Sequence, residues 1–185
     1  MCAEKKLLNV KNMILCALFV ALIAIGAFIK IPVPVCPFTL QLLFTALAGL
    51  LLGARLGFTA VTVYVVVGLI GIPVFTQGGG PSYILQPTFG YLVGFAVGSY
   101  VIGLLTEKIA RPSLMRLLTV NFINLFIVYL FGMVYVYAIN EFYLNTPIGI
   151  WPLFLYCFIL AVPGDIVLCI IAAFIGRKLI PIVRK

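Results

Sequence analysis

One carboxylate stands in the middle of an apolar run: Asp165, in LAVPGDIVL at residues 160–168. A charge at the centre of a hydrocarbon slab costs about 2.5–3.5 kcal/mol on insertion scales. Such a residue is kept either to bind something or to tie helices together. Pro163 removes a backbone donor just before it and Gly164 relaxes the turn, which predicts a kinked or broken helix with Asp165 facing an interior cavity. Other polar side chains stand at the starts of apolar runs: Thr39 and Gln41, then Gln86 and Thr88, with Tyr91 one turn further in. Helix starts present free N–H groups and a partial positive charge, and so meet ligand oxygens without a cation. Each residue alone is as well explained by a hydrogen bond between helices. Together, facing Asp165, they make one recognition site built from hydroxyl, amide and phenol groups.

The chemistry of that site is binding rather than catalysis. The chain has no His, which removes most zinc sites and every His-based triad. It has no GxxxxGK[ST] phosphate loop, so it does not hydrolyse ATP by that route. Its four carboxylates, Glu4, Glu107, Glu141 and Asp165, form no pair on one membrane face, as an acid–base dyad would require. No cofactor or metal is expected. Five cysteines, Cys2, Cys16, Cys36, Cys157 and Cys169, include no CxxC and behave as small apolar residues.

The elements that must hold this site are membrane helices. Of 185 residues 65% are hydrophobic and only 9% charged, against about 25% charged in soluble domains. Mean hydropathy is +1.30, and the expected class is an all-α integral membrane protein in one domain. A span needs about 20 apolar residues, and six runs qualify: 12–29, 38–54, 56–73, 88–105, 113–139 and 151–176. The basic N-terminus precedes a retained first helix rather than a cleaved signal. With the N-terminus inside, Lys5, Lys6, Lys11, Arg55, Lys108, Arg111, Arg116, Arg177, Lys178, Arg184 and Lys185 fall on the inner side and Lys30 alone outside. That asymmetry predicts six spans with both termini in the cytoplasm. The net charge of +8 is spread as topology signals rather than as a nucleic-acid patch.

Three irregular segments then face outward: 30–37, 74–87 and 140–150. They are rich in Pro, Gly and amides, and are expected to line or cover a site for something small. Gly78, Gly79 and Gly80 suggest a movable lid. Gly90, Gly94 and Gly98 form a smooth stripe for close helix packing, as do Gly49 and Gly53. Ala17 and Ala21 make a similar small-residue pair, against another helix or against another protein.

The stretches IPVPVCPFTLQ (31–41), LAGLLLGARLG (47–57), GLIGIPVF (68–75), GGGPSYILQPTFGYLVGF (78–95) and VPGDIV (162–167) resemble the BioY family, the biotin-binding S-components of energy-coupling-factor (ECF) transporters. The resemblance runs over nearly the whole chain. It implies a six-helix S-component bundle in a prokaryotic cell membrane, with high-affinity vitamin capture at the outer face. It implies docking on a transmembrane coupling subunit driven by two ATPases, through the Ala17 and Ala21 face. It also implies a biotin site at Asp165, Gln86, Thr88 and Tyr91, with Tyr83 and Phe38 clasping the rings. Leu168 stands where the family commonly has Lys, three residues after the Asp. Lys30 is then the one outward cation left for a carboxylate, or the ligand is a relative such as dethiobiotin or lipoate.

Overall fold

The computed structural model describes residues 9–31, 37–146 and 148–184. Cys2, Cys36, Lys5, Lys6, Lys185 and most of segment 30–37 lie outside the described residues. The chain is mostly helical. Helix α1 is Val10–Phe28, and a two-residue hairpin pairs β1 (Lys30–Ile31) with β2 (Phe38–Thr39). Then come α2 (Gln41–Leu52), α3 (Ala54–Leu69), a 3-10 turn at Pro81–Leu85, α4 (Phe89–Thr106) and α5 (Leu114–Phe142). The last stretch combines α6 (Ile150–Phe154), a π-helical turn at Leu155–Ile159 and α7 (Val162–Val183).

Val10–Phe28, Phe89–Thr106, Leu114–Phe142 and the stretch Ile150–Val183 are long and apolar enough to cross a membrane. Helices α2 and α3 are apolar but shorter. Several boundaries differ from expectation, each for a local reason. The run 38–54 is not one helix: Phe38 and Thr39 pair in the hairpin, and Gly53, at φ 84°, ends α2. That left-handed geometry suits Gly and reverses the chain in one residue. The helix expected to end at Pro73 stops at Leu69, where Gly71 at φ 118° turns the chain into a loop. Helix α5 continues past 139 to Phe142, with the Asn140 amide donating back to the Val136 carbonyl at 2.8 Å.

The glycine stripe of α4 meets α5. A Cβ on Gly94 would sit 2.9 Å from the Val128 Cα, and one on Gly98 would collide with the Asn124 amide. On the opposite side of α4, Gly49 abuts the Ser99 carbonyl and Gly103 abuts Ala54. Small residues thus let the backbones of α2, α3 and α5 approach that of α4 within van der Waals contact, the main source of helix association where lipid is as apolar as Leu.

The interior has two halves of different character. One end is aromatic, with Tyr64, Phe75, Tyr83, Tyr91 and Tyr129 buried together. The other is aliphatic and small, with Leu50, Ile102, Leu117, Ala172, Ala173 and Ile180. At the aliphatic end the helix termini are tied by charge. Arg184 donates to the carbonyls of Leu50 (2.5 Å) and Thr106 (2.7 Å), and to the Thr106 hydroxyl (3.1 Å). The carbonyls belong to the last turns of α2 and α4, where intrahelical donors run out, and that of Thr106 also accepts the Ile109 N–H at 3.1 Å. Burial lowers the pKa of the Arg184 guanidinium and nearby Glu107 opposes the shift. The Glu107 carboxylate itself accepts the Ala54 N–H at 3.3 Å, capping α3.

Candidate functional site

A cavity opens in the aromatic end. Its wall is built by the hairpin (Phe38, Thr39), the start of α2 (Gln41, Leu42), the 70–88 loop (Thr76, Tyr83, Thr88), α4 (Tyr91, Leu92, Phe95), α5 (Val128, Tyr129) and the last stretch (Ala161, Asp165). Without its open mouth, the space between these walls is about 50 Å³. Ligand sites span about 300–1,000 Å³. This one is narrow, and a fused-ring guest requires a wall to give way.

Asp165 forms the floor. The π-helical turn and the two residues after it break the stretch, and α7 restarts at Val162 with Pro163 in its first turn. Proline fits there because a first-turn N–H has no intrahelical partner to lose. Asp165 therefore lies at a helix N-terminus, where the backbone dipole favours an anion. It is 8% exposed. Its Oδ2 accepts the Tyr129 hydroxyl at 2.5 Å. Beside it, the Phe38 ring packs on Gly164, where a Cβ would meet the ring at 2.6 Å. Only glycine lets the ring lie that close to the backbone next to Asp165.

Tyr129 comes from the middle of α5, edge-on to Tyr91 (5.9 Å, 87°) and to Phe158 (5.4 Å, 79°). Sequence reasoning did not single it out. The available signal was its place four residues beyond Leu125 and eight beyond Asn121, on the face that α5 buries. The Tyr91 hydroxyl donates to the Cys157 carbonyl at 3.4 Å, an acceptor in the π-helical turn.

The 70–88 loop is fastened rather than loose. Phe75, 1% exposed, packs against Tyr64 and Tyr83 and covers Gly68. The Gly80 N–H donates to the Gly68 carbonyl at 2.7 Å, and the Tyr64 hydroxyl to the Val74 carbonyl at 3.0 Å. The Tyr135 hydroxyl holds the Ile84 carbonyl, and Lys30 Nζ donates to the Thr76 carbonyl at 2.8 Å. Gly78 and Gly80 have φ of 116° and 108°, so the glycines here serve shape. Hydroxyls of Thr76, Tyr83 and Thr88 form a chain with 3.1 and 3.2 Å links along the cavity wall.

Asp165, Thr88, Tyr91, Tyr83, Phe38, Thr39 and Gln41 are thus brought together. Gln41 is partly spent: its amide donates to Tyr64 at 2.7 Å and its carbonyl oxygen accepts from Thr39 at 3.2 Å. Gln86 is placed differently from expectation. The chain leaves the 3-10 turn extended at Gln86, at φ −78° and ψ 138°, and its side chain is exposed, outside the cavity wall. Lys30 is exposed at the rim and does not line the cavity. Segment 140–150 contributes no lining residue among those described. Ala17 and Ala21 lie exposed on α1, among the exposed Ile14, Leu18 and Ile25. Leu168 is buried in the aromatic cluster, away from the cavity wall.

A model of the BioY family matches residues 3–185. The chain is 43% identical over 174 residues to the probable biotin transporter BioY of Lysinibacillus sphaericus, covering 94% of this chain and 89% of that protein. It is 35% identical over 179 residues to the biotin transporter BioY of Rhizobium etli, covering 92% and 93%. The crystal structure at 2.1 Å of the S-component for biotin from an ECF-type ABC transporter matches with a TM-score of 0.76 and 29% identity, over 92% of this chain and 90% of that one. Sequence and fold agree over nearly the full length, and the chain belongs to the BioY family.

Proposed function

We propose that this protein is a biotin-capturing S-component of an ECF-type transporter, a binding subunit and not an enzyme. The observation that carries the reading is the cavity. Six elements converge on one buried carboxylate with apolar and aromatic walls. Biotin's ureido group offers N–H donors to Asp165, while Phe38, Tyr83, Phe95 and Tyr91 supply surface for its rings. Thr39, Gln41 and Thr88 shape the polar side of the wall, and Lys30 meets the acid at the rim.

The chain is a single membrane domain that crosses a prokaryotic plasma membrane six times, with both termini in the cytoplasm. Support comes from the cations: Lys11, Arg55 and Arg184 gather with Glu107 around one end of the bundle, while Lys30 stands at the other, as the charge asymmetry of loops requires. The cavity then opens outward. The exposed Ala17–Ala21 face of α1 suits docking on a transmembrane coupling subunit that works with two ATPases. The test is titration of the detergent-solubilised protein with biotin. Submicromolar binding is expected, and a dissociation constant in the micromolar range or weaker rejects biotin as the ligand.

A further inference from the structure

A second hollow, of about 690 Å³, lies at the aliphatic end of the bundle. It opens where helices begin and end. α1 starts there behind its cap Asn9, and α3 starts there at Ala54; α2, α4 and α7 finish there. Helix starts carry a partial positive charge. The opposing carbonyls, in the last turns of α2 and α4, are already covered by Arg184. Lys11 and Arg55 stand exposed on the wall, and among the described residues neither side chain is held in an ion pair. The one carboxylate on the wall among the described residues, Glu107, is spent on the Ala54 N–H at 3.3 Å. Three cations (Lys11, Arg55 and Arg184) thus face one carboxylate, a surplus of two positive charges.

Below this charged rim the hollow is apolar. Leu15 lies one turn deeper than Lys11 on α1, and Leu104 of α4 is 51% exposed. Tyr100, also exposed, stands six residues before the end of α4, about 9 Å deeper at 1.5 Å per residue. Its ring meets Phe58 of α3 edge-on at 6.1 Å. A free anion needs only the cations. A charged rim over an apolar slot fits a phosphate that carries acyl chains, and basic pockets between membrane helices hold such headgroups.

We infer that this hollow binds an anionic membrane lipid, with Lys11 and Arg55 taking the phosphate at the starts of α1 and α3 and the chains running past Leu15, Tyr100 and Leu104. A zwitterionic headgroup fits less well, because it brings an ammonium to a wall whose carboxylate is already committed. The lipid site is independent of the guest at the aromatic end.

The full chain in neutral detergent is titrated with phosphatidylglycerol and with phosphatidylcholine, and bound lipid is read by native mass spectrometry, for wild type and for Lys11→Gln/Arg55→Gln. Each cation beside an anionic lipid contributes about fivefold in affinity, so wild type should prefer phosphatidylglycerol by about twenty-five-fold. The preference should fall to about threefold or less in the double variant. A wild-type preference below about fivefold overturns the proposal, whatever the variant does. So does a preference that survives in the variant; if the variant then loses only its co-purification with a coupling subunit, the hollow belongs to a protein partner. Displacement of phosphatidylglycerol by an equal concentration of inorganic phosphate would make it a site for free anions instead.

Discussion

Asp165→Asn isolates the charge of the floor. The substitution keeps the size and planarity of the side chain and removes the negative charge that Tyr129 and the N-terminus of α7 surround. A hydrogen bond to a charged acceptor is worth about 1.5–3 kcal/mol and a neutral one about 0.5–1.5. Losing the charge assistance of one ligand bond costs about 1–1.5 kcal/mol, close to tenfold in affinity. If the amide turns its NH₂ toward the ligand's N–H, two donors face each other and the loss grows. Stability moves the other way. The wild-type protein keeps a carboxylate that is 8% exposed with no cation on the cavity wall among the described residues, and a desolvated charge costs several kcal/mol. The dipole that partly offsets it is worth about 0.3–1 kcal/mol. The ligand-free variant should therefore melt at the same temperature as wild type or higher, while biotin binds at least about tenfold more weakly. Isothermal titration and thermal unfolding in the same detergent give both numbers. An unchanged dissociation constant removes Asp165 from the site, and a lowered melting temperature shows that the carboxylate serves the fold.

Tyr129→Phe keeps the edge-on ring packing and removes the hydroxyl donor to Asp165; the ligand-free protein should lose about 1–3 kcal/mol of stability, because a buried carboxylate is left short of a partner, and biotin affinity should fall about tenfold, as read by unfolding and titration. Gly94→Ala places a Cβ 2.9 Å from the Val128 Cα and should destabilise the α4–α5 contact by about 1–3 kcal/mol in denaturant unfolding. Arg184→Met frees carbonyls at the ends of α2 and α4 and should cost about 1–3 kcal/mol in the same assay, while biotin affinity at the far end stays within about threefold. Ala17→Trp with Ala21→Trp should leave biotin affinity intact and abolish co-purification with a coupling subunit; retained co-purification would move the docking surface off α1.

Some of the cavity was readable before any coordinates because a bilayer makes polar residues conspicuous. Asp165 inside an apolar run, and Thr39, Gln41 and Thr88 at run starts, all line the cavity. Tyr129 escaped notice because a phenol is at home in an apolar helix, and nothing local reveals that its hydroxyl reaches a residue 36 positions away. Gln86, expected at the site, lies exposed outside the cavity wall, because composition marks a segment as polar without saying which way a side chain leaves it. The 3-10 turn and the extended Gln86 decide that direction. The glycines at 78–80 suggested looseness, yet positive φ at Gly78 and Gly80 holds a fixed turn. The break at Pro163 was legible in kind, since proline has few tolerated places in a helix. The π-helical turn before it, which offers the Cys157 carbonyl to Tyr91, left no trace in residue types.

The Arg184 stitch has a consequence for traffic. It binds the carbonyl ends of two helices to the tail of a third, and the buried cluster at that end is aliphatic. The cavity mouth, by contrast, is rimmed by a hairpin and a loop. Among the described residues, none that lines the cavity also lines the hollow beside Arg184 and Glu107, so the stitched end seals the cavity on that side and leaves the hairpin-and-loop rim as its approach.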